Sequence, residues 1–483
     1  MEQKQVIAYQ LELFDINGQG VVHPFLKRED VHGAQGTKDL QVDSAGKQER
    51  ALVCNLMEIV ISPKNIWTAY KQVKQNKGAG GIDGMQVEEF AVWFKEQGSN
   101  LIDELRSGNY QPQPVRLVEI PKPNGGIRKL GIPTVKDRVI QQAISQVLSP
   151  IYEAEFSASS YGFRPRRSAH QALQKASEHV SSGRTVVVDI DLQNFFDAVN
   201  HDRLMYRLST KIGDKTLLKL IRKYLQSGIM TDGVVSQRSE GTPQGSPLSP
   251  LLSNIVLDEL DRELERRGHS FVRYADDCNI FVRSQKAGER VMQTLSSFIE
   301  NKLKLKVNQA KSKVCRVSES KFLGYTILDS GILTINKQSI ERIKTKIRQL
   351  TRRNRAVKFE KIISELNLVL RGWLNYFRYA RCHKLVQNLD AWVRRKLRCY
   401  RIKQCKRVHT LQQFLHRQGV EKWQSWILAL SGKGNWRKSG CPQSNQAMGI
   451  EWFQQLGLYN LTFNYETLNH LQKPPCTKVR TVV

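Results

Sequence analysis

The sequence lacks the features that would place the chain in a membrane or outside the cell. No unbroken apolar run approaches the roughly 20 residues that a membrane-spanning helix needs. The N-terminal stretch MEQKQVIAYQ has neither the charged start nor the apolar core of a secretory signal. We therefore expect no membrane partner and no secretion.

Cysteines are few and scattered. The eight cysteines include no CxxC pair, and even the closest two, Cys399 and Cys405, lack the spacing of a zinc knuckle. A disulfide framework is not expected in a chain of 483 residues with this pattern. A reducing compartment, the cytoplasm of a bacterium or its equivalent, fits this use of cysteine.

Acidic residues are scarce relative to basic ones. Lys plus Arg number 75 against 45 Asp plus Glu, so the formal net charge is +30. Such an excess causes self-repulsion in the folded state, and a polyanion is the usual partner that offsets it. The excess is concentrated in residues 337–407, which hold 22 basic and 4 acidic side chains. Charge runs are usually solvated faces, but an imbalance this one-sided favours a nucleic-acid-binding surface.

The pattern of apolar residues divides the chain into four segments. Residues 1–55 show no sustained periodicity and predict a mobile N-terminal extension. Residues 56–335 mix helical and strand patterns, which predicts an α+β domain. Residues 336–465 have helical patterns, as in SIERIKTKIRQL, where apolar side chains recur at helical spacing. Residues 466–483 are predicted to form a tail.

Two adjacent aspartates interrupt the strand-like stretch FVRYADDCNIFV, residues 271–282. The apolar residues on both sides predict a tight hairpin with Asp276 and Asp277 at its tip. Aspartate is common in turns because its side chain bonds its own backbone. The stretch alone therefore favours a plain turn over a metal site.

A second acidic cluster ends the apolar strand TVVVDID, residues 185–191. Side chains alternate along a strand, so Asp189 and Asp191 share a face. Acidic side chains on an apolar strand need a positive partner such as a divalent metal, but a strand that runs into a polar loop is equally consistent with the pattern. Taken with the hairpin, the cluster suits nucleotidyl transfer, in which two Mg²⁺ ions are held by a few carboxylates and the substrate phosphates.

The two clusters resemble the catalytic motifs of reverse transcriptases. YADD at 274–277 resembles the polymerase signature of that family. DLQNFFDAVNHD resembles the family's first catalytic motif, in which the metal-binding aspartate stands five residues before an aromatic residue. The resemblance implies that Asp191, Asp276 and Asp277 are catalytic and hold two Mg²⁺ ions.

The same motif implies a selectivity residue. By resemblance, Phe196 lies under the incoming sugar and would clash with a 2′-hydroxyl, which favours dNTPs over rNTPs. Phe195 and Phe196 are also both candidates for the core. Asp189 and Asp197 remain alternatives to Asp191, because periodicity does not exclude them.

Four further segments resemble reverse transcriptase motifs that hold the nucleotide or the template. GTPQGSPLSPLLSNIVL resembles the Pro-Gln-Gly element over the nascent base pair, and IPKPNGGIRKLGIPT resembles the block whose basic residues grip the triphosphate. YGFRPRRSAHQAL resembles the second block, and LKVNQAKSK resembles the motif after the catalytic hairpin. The resemblance implies nucleotide contacts for Gln244, Arg128 and, as second choice, Lys122, and nucleic-acid contacts for Arg164, Arg166, Arg167, Asn308 and Lys311.

The segments ELNLVLRGWLNYFRYA and LDAWVRRKLRCYRIKQ closely resemble the thumb, or maturase, domain of group II intron-encoded proteins. Outside the predicted core of this domain, Arg394, Arg395 and Arg398 are expected to face an RNA–DNA duplex or folded intron RNA. The core itself is predicted as a helical stripe, formed by Phe359, Ile362, Leu366, Val369, Trp373 and Phe377.

The resemblance implies a fold and a function. The expected fold is a right-hand polymerase palm and fingers, with an antiparallel palm sheet, followed by an α-helical thumb/maturase domain. The expected activity is RNA-directed DNA synthesis that copies intron RNA during retrohoming, together with help in splicing that RNA. The implied partners are group II intron RNA, an RNA template/DNA primer duplex, dNTPs and target DNA.

One expected module is missing from the sequence. Many members of the family end in a zinc-supported HNH endonuclease, which needs cysteine pairs and histidines. After residue 440 the sequence has only Cys441, His470 and Cys476. We therefore expect no endonuclease, and a primer 3′ end supplied from elsewhere, such as a nascent strand at a replication fork.

Two other functions stay open on the sequence. The first is a related reverse transcriptase without an intron, serving defence or CRISPR-linked spacer acquisition. The second is an RNA-binding maturase without polymerase activity, which the intact Asp191, Asp276 and Asp277 argue against.

Overall fold

The computed structural model describes residues 52–121, 127–231, 234–236, 240–242 and 244–470. Contacts divide the chain into two compact units, with the division between Arg316 and Val317. This division precedes the boundary at residue 335 that the change of sequence pattern predicts. Most of the predicted N-terminal extension and of the predicted tail lies outside the described residues.

Five of the described helices of the first unit begin at a polar side-chain cap, and the helices share one apolar core with the strands. Thr134, Ser168, Asn200, Asp214 and Ser284 each accept a hydrogen bond from the backbone N–H three residues further on, which satisfies a free donor of the first turn. The described helices of this unit are α1 (Leu56–Ile61), α2 (Pro63–Gln75), α3 (Phe90–Ser107), α4 (Val135–Glu153), α5 (Ala169–Ser181), α6 (His201–Ser209), α7 (Lys215–Gln226), α8 (Ser249–Arg266) and α9 (Gln285–Phe298).

An antiparallel four-stranded sheet forms the centre of the first unit. Its strands are β3 (Val186–Ile190), β6 (Ser270–Tyr274), β7 (Asp277–Val282) and β8 (Lys313–Arg316), in the order β6-β7-β3-β8. β3 pairs with β7 on one side and with β8 on the other. This central position explains its run of valines, since both faces of the strand are largely covered. The sheet is the antiparallel palm sheet that the resemblance implies.

A second sheet carries the predicted phosphate-gripping hairpin. β1 (Val115–Pro121) pairs antiparallel with β2 (Ile127–Ile132), and Pro121 stands opposite Ile127. The loop between them lies outside the described residues. β1 also pairs in parallel with β4 (Ile229–Thr231), which pairs in turn with β5 (Val234–Ser236).

The second unit starts with a small hairpin and continues as helices. β9 (Tyr325–Ile327) and β10 (Leu333–Ile335) pair antiparallel. Within the described residues, no helix of the chain combines the length and the apolar character needed to cross a bilayer. The described helices of this unit are α10 (Lys337–Leu350), α11 (Phe359–Phe377), α12 (His383–Gln404), α13 (Val408–Arg417), α14 (Lys422–Leu430), α15 (Asn435–Lys438), α16 (Pro442–Ala447), α17 (Ile450–Gln455) and α18 (Leu461–His470).

The buried face of α11 differs in part from the predicted stripe. Val369 and Trp373 are only half-buried, whereas Leu370 and Leu374 are fully buried. After Leu366 the buried positions lie one residue further along α11 than predicted, because a helix of 3.6 residues per turn does not keep a fixed interval of three or four. The other four residues of the predicted stripe are buried.

A buried aspartate joins α18 to α12. Asp390, on α12, is 5% exposed. Its carboxylate accepts the backbone N–H of Leu461 at 3.1 Å, the N–H of Thr462 at 2.7 Å and the Thr462 hydroxyl at 2.6 Å. These donors belong to the first turn of α18, where a negative charge is also favoured by the helix dipole. Asp390 thus acts as an N-terminal cap supplied by another helix.

We predict that Asp390→Ala lowers the free energy of opening of α18 by about 2–4 kcal/mol, because three donors lose their acceptor. Thr462→Val removes only the hydroxyl bond and should cost about 1 kcal/mol. Hydrogen exchange at the backbone amides of α18 in the full chain measures both effects. Glu466→Gln, in an exposed pair with His383, is the matched control and should change little. Equal effects for Asp390→Ala and Glu466→Gln would contradict the capping role.

Candidate active site

The backbone of Asp191 is fixed by the segment that precedes β8. Asp191 directly follows β3, and its carbonyl oxygen accepts the backbone N–H of Asn308 at 2.8 Å. The Asp191 N–H donates to the Ser312 hydroxyl oxygen at 3.0 Å, and the Ser312 hydroxyl donates to the Asp191 carbonyl oxygen at 3.3 Å. A carboxylate on a backbone held at both its polar groups has a defined position.

The YADD motif forms a tight turn, as predicted. Tyr274 ends β6 and pairs with Asp277, the first residue of β7, so Ala275 and Asp276 make a two-residue hairpin loop. Ala275 has a φ of 57°. A positive φ at the first loop position is typical of the primed turns that suit hairpin twist, although alanine adopts it less readily than glycine. Both aspartates of the motif are exposed.

The sheet register brings the two acidic clusters together. Ile190, at the end of β3, pairs with Cys278 on β7. Because the pairing is antiparallel, the next position on β3 is Asp191 and the preceding one on β7 is Asp277. The three predicted metal ligands thus meet at one edge of the sheet. Asp189 instead lies within the sheet, opposite Asn279, where it is only half-buried.

The Asp191 and Asp276 carboxylates repel each other at this edge of the sheet. Loss of hydration raises the pKa of Asp276 although its side chain is exposed to solvent on one side, and the Asp191 carboxylate raises the pKa further. Its own backbone N–H, Arg128 and Arg273 act in the opposite direction. Lys311 Nζ lies 3.8 Å from Asp191 Oδ2, on a side chain that is 66% exposed. The arrangement therefore favours additional positive charge.

The donor set fits a hard divalent cation. Within the described residues, no group of three or more His, Cys, Asp or Glu side chains is arranged so that it could hold a metal by itself. Mg²⁺, however, prefers one or two carboxylates together with water and substrate phosphates over a cage made only of protein. Asp191, Asp276 and Asp277 supply oxygen ligands of this kind, and divalent ions are the general cofactors of the polymerase family that this site resembles.

The predicted selectivity residue is held by the loop before α8. Phe196 is half-buried, and its ring packs edge-on against Phe195 at 5.3 Å between centroids. Thr242 N–H donates to the Phe196 carbonyl at 2.6 Å. Gly241 has a φ of 90°, and a Cβ there would lie 2.9 Å from the Asp197 Cα. Only glycine allows this close approach of the loop to the Phe196 turn.

The predicted nucleotide contacts Gln244 and Arg128 lie on connected elements. The Gln244 carbonyl accepts the backbone N–H of Gly131 at 2.9 Å, which ties the Pro-Gln-Gly loop to β2. Arg128 is exposed on the same strand. Lys122 lies outside the described residues.

Arg164 was predicted wrongly as a nucleic-acid contact. It is 7% exposed, and its guanidinium pairs with Glu153 and donates to the carbonyls of Ser157 and Ser160. Its charge is paired, and its donors are bonded, within the loop between α4 and α5 and its flanking helix end, so Arg164 stabilises this part of the fold. Arg166 is exposed, and Arg167 lies 5.3 Å from the ring centre of Tyr161. Their nucleic-acid contacts stay predictions, as do those of Asn308 and Lys311.

The three predicted arginines of the second unit lie on α12. Arg395 stacks over Trp436 at 4.2 Å, and Arg398 donates to the Met448 carbonyl at 3.3 Å. Burial, together with the positive charges of Arg394 and Arg395, lowers the pKa of Arg398 to about 10. Cations that repel one another in this way favour an anionic partner.

Residues that the motifs do not single out contact the YADD turn. The Arg273 guanidinium donates to the Ala275 carbonyl at 2.9 Å and to Asn254 Oδ1 at 3.0 Å, and it pairs with Asp261. The available signal was a charged residue inside the apolar run FVRYADD. Its partners Asp261 and Asn254 stand 12 and 19 residues earlier, on α8, and helix or strand periodicity does not relate residues of two different elements, so sequence pattern alone could not have paired them.

Comparison with protein families gives two matches. Residues 120–327 match the reverse transcriptase (RNA-dependent DNA polymerase) family. Residues 340–419 match the maturase-specific domain of group II introns. The first match contains the carboxylate edge, and the second contains α12 with its arginines.

Similar proteins agree with these matches. Protein YkfC of Escherichia coli (strain K12) is 34% identical, over 56% of this chain and 82% of that protein. Group II intron-encoded protein LtrA of Lactococcus lactis subsp. cremoris is 31% identical, over 56% of this chain and 56% of LtrA, so the match spans about half of that relative. A chain in the solved structure "Partial Cas6-RT-Cas1–Cas2 complex" is 29% identical over 51% of this chain and 42% of that chain, with a TM-score of 0.34, which is too low to carry an argument. The two domain matches and the extent of the likeness to YkfC show that the chain belongs to the family of group II intron-encoded reverse transcriptase/maturase proteins.

Proposed function

We propose that the protein is an active RNA-directed DNA polymerase that copies group II intron RNA into DNA during retrohoming and assists the splicing of that RNA. The observation that carries the proposal is the meeting of Asp191, Asp276 and Asp277 at one edge of the central sheet. Like charges gathered at a solvent-exposed edge reduce stability, and polymerase chemistry gives a reason to keep them. An RNA-binding protein without polymerase activity would not need this arrangement.

The three carboxylates are proposed to hold two Mg²⁺ ions together with the substrate phosphates. When bound, such ions activate the primer 3′-hydroxyl and neutralise charge on the triphosphate. Asp191 contributes a carboxylate on a backbone fixed by Asn308 and Ser312. Asp276 and Asp277 contribute two more from the rigid hairpin turn. The protein's own role is therefore mainly positioning and charge complementarity.

The neighbouring loops are proposed to hold the incoming nucleotide. Arg128, with Lys122 as the second candidate, would pair with the triphosphate from the β1–β2 hairpin. Gln244 would contact the nascent base pair from the loop before α8. Phe196 would lie against the sugar, where the Thr242 hydrogen bond to its carbonyl limits its movement. The hydrogen bond between Gly131 and Gln244 supports a common site, because it joins the hairpin to the loop.

Nucleic acid is proposed to bind the basic surfaces. The concentration of 22 basic residues in 337–407 supports a phosphate-binding surface on the second unit for intron RNA. Arg394, Arg395 and Arg398 on α12 are proposed contacts there. Arg166, Arg167 and Lys311 in the first unit are proposed contacts to the template/primer duplex, whose 3′ end would come from target DNA.

We predict that Asp276→Asn reduces primer extension on an RNA template by about 100-fold or more, because a metal ligand and its charge are lost while the side chain keeps its shape. Intron RNA affinity, measured by filter binding on the same preparation, should stay within about twofold. Asp202→Asn, at an exposed carboxylate paired with Arg222, is the matched control and should extend normally. Full activity of Asp276→Asn would remove it from the metal site, and tight RNA binding without extension by the wild type would favour a maturase-only protein.

We predict that Phe196→Ala raises incorporation of rNTPs relative to dNTPs by about 10–100-fold, because the ring no longer excludes the 2′-hydroxyl. Single-nucleotide addition with each substrate gives the ratio of kcat/KM values. Phe195→Leu is the control, since Phe195 is 3% exposed and its loss should lower stability without changing the ratio. Unchanged discrimination in Phe196→Ala would assign the ring to packing.

We predict that Arg395→Gln weakens intron RNA binding and reduces the slope of log affinity against log salt concentration by about 1, as expected for one lost phosphate contact. Titrations at several salt concentrations measure the slope. Arg290→Gln, at an exposed position on α9, is the charge-matched control. An unchanged slope would show that Arg395 contributes no phosphate contact.

A further inference from the structure

A fully buried ion pair lies directly behind the catalytic turn. Arg273 on β6 and Asp261 on α8 are both 0% exposed. Arg273 Nε donates to Asp261 Oδ1 at 2.7 Å, and Nη2 donates to Oδ2 at 2.5 Å. The desolvation of two charges usually cancels most of the attraction between them, so such a pair is weak evidence for a purely stabilising role. A requirement for specific geometry explains its presence better.

The remaining guanidinium donor holds the turn itself. Arg273 Nη1 donates to the carbonyl of Ala275, the residue before Asp276, at 2.9 Å. The same nitrogen donates to Asn254 Oδ1 at 3.0 Å. Asp261 grips the other edge of the planar guanidinium, so its orientation toward Ala275 is fixed. Lysine could not reproduce this geometry, because its ammonium is a single flexible point charge.

The turn needs such support, because its backbone is strained. Ala275 has a φ of 57°, a conformation that costs a non-glycine residue free energy and persists only when surrounding contacts enforce it. Gly162 packs directly against the backbone of the turn, where a Cβ would lie 2.2 Å from the Ala275 nitrogen. Asn254 Nδ2 donates to the Gly162 carbonyl at 2.9 Å. Asn254 therefore joins Arg273 to the Gly162 segment by hydrogen bonds to both.

Backbone hydrogen bonds place the Gly162 segment along β6. Arg273 N–H donates to the Ser159 carbonyl at 2.9 Å, and Tyr161 N–H donates to the Arg273 carbonyl at 2.9 Å. β6 is the outer strand of the sheet, so its free backbone groups are available for these bonds. The Gly162 backbone and the Arg273 guanidinium thus both contact the backbone of the turn at Ala275.

We propose that Arg273, Asp261 and Asn254 are positioning residues that set the geometry of the catalytic turn and thereby the places of the Asp276 and Asp277 carboxylates. The proposal rests on the polymerase function proposed above. Arg273 and Asp261 are 0% exposed and Asn254 is 1% exposed, so all three lie beneath the surface that nucleotide or RNA would contact. Their loss should therefore affect metal binding and the chemical step, and leave dNTP and RNA affinity nearly unchanged.

The test uses two kinds of variant in the full chain. Arg273→Lys and Asn254→Asp change the hydrogen-bond network itself. Gly162→Ala leaves all three network side chains intact and displaces the turn through a clash between the new Cβ and the Ala275 backbone. Arg266→Ala is the control, because the Arg266 side chain is 71% exposed and lies on the same helix as Asp261. Hydrogen exchange and intron RNA binding show whether each variant is folded.

We expect kcat for primer extension to fall by about 10–100-fold in the three variants, as for a displacement of catalytic groups by about 1 Å. KM for dNTP and the RNA dissociation constant should stay within about threefold, and the Mg²⁺ concentration for half-maximal activity should rise several-fold. Arg266→Ala should match the wild type. Folded variants with wild-type kcat, or variants whose kcat and RNA affinity fall in parallel, would overturn the proposal.

A second measurement separates this proposal from the polymerase function. Tb³⁺ binding, followed by luminescence sensitised through tyrosine, reports the carboxylate site without catalysis. We expect Arg273→Lys and Gly162→Ala to weaken Tb³⁺ binding several-fold and Asp276→Asn to remove the site. If the wild type binds Tb³⁺ but extends no primer, the polymerase function fails, and the network is judged by its effect on Tb³⁺ affinity alone. Equal Tb³⁺ affinity in wild type and network variants would overturn the positioning role.

Discussion

Repulsion between carboxylates at one edge of a sheet is the constraint on which the first unit depends. Antiparallel pairing of β3 with β7 puts Asp191 and Asp277 at neighbouring positions, with Asp276 in the adjoining turn. Loss of hydration is the largest cause of the raised pKa of Asp276, and repulsion from the Asp191 carboxylate raises that pKa further. The fold resists this repulsion with rigid backbones and nearby cations.

Rigidity comes from two different devices. Asp191 is held by backbone and hydroxyl hydrogen bonds from Asn308 and Ser312, which act on the strand end directly. The YADD turn is held by a buried arginine whose own orientation depends on Asp261. The first device is local and desolvates no charged pair, whereas the second requires the desolvation of a buried ion pair. A strained turn that must keep a fixed shape against repulsion explains why this free-energy penalty is tolerated.

The second unit deals with charge of the opposite sign. Of its predicted arginines on α12, Arg395 stacks on Trp436 and Arg398 donates to the Met448 carbonyl. An aromatic face accepts a cation without neutralising it. Positive charge therefore remains available for phosphate groups, in agreement with membership of a family whose maturase domain matches this region.

The sequence by itself determined which elements form and where the acids concentrate. Periodicity and turn chemistry are local properties, so the hairpin at YADD, the strand before Asp191 and most of the α11 face could be read directly. Motif resemblance favoured Asp191 over Asp189 and Asp197 as a metal ligand, which stays a prediction, and the sheet register supports it against Asp189, which lies within the sheet opposite Asn279. Tertiary structure alone decided how charged side chains are used. Arg164 looked free for nucleic acid but faces inward to Glu153, and Arg273 looked unremarkable but holds the turn. Each charge is paired with a residue of another element, 11 residues away for Arg164 and 12 for Arg273, and the packing of one element on another is not contained in a local sequence pattern.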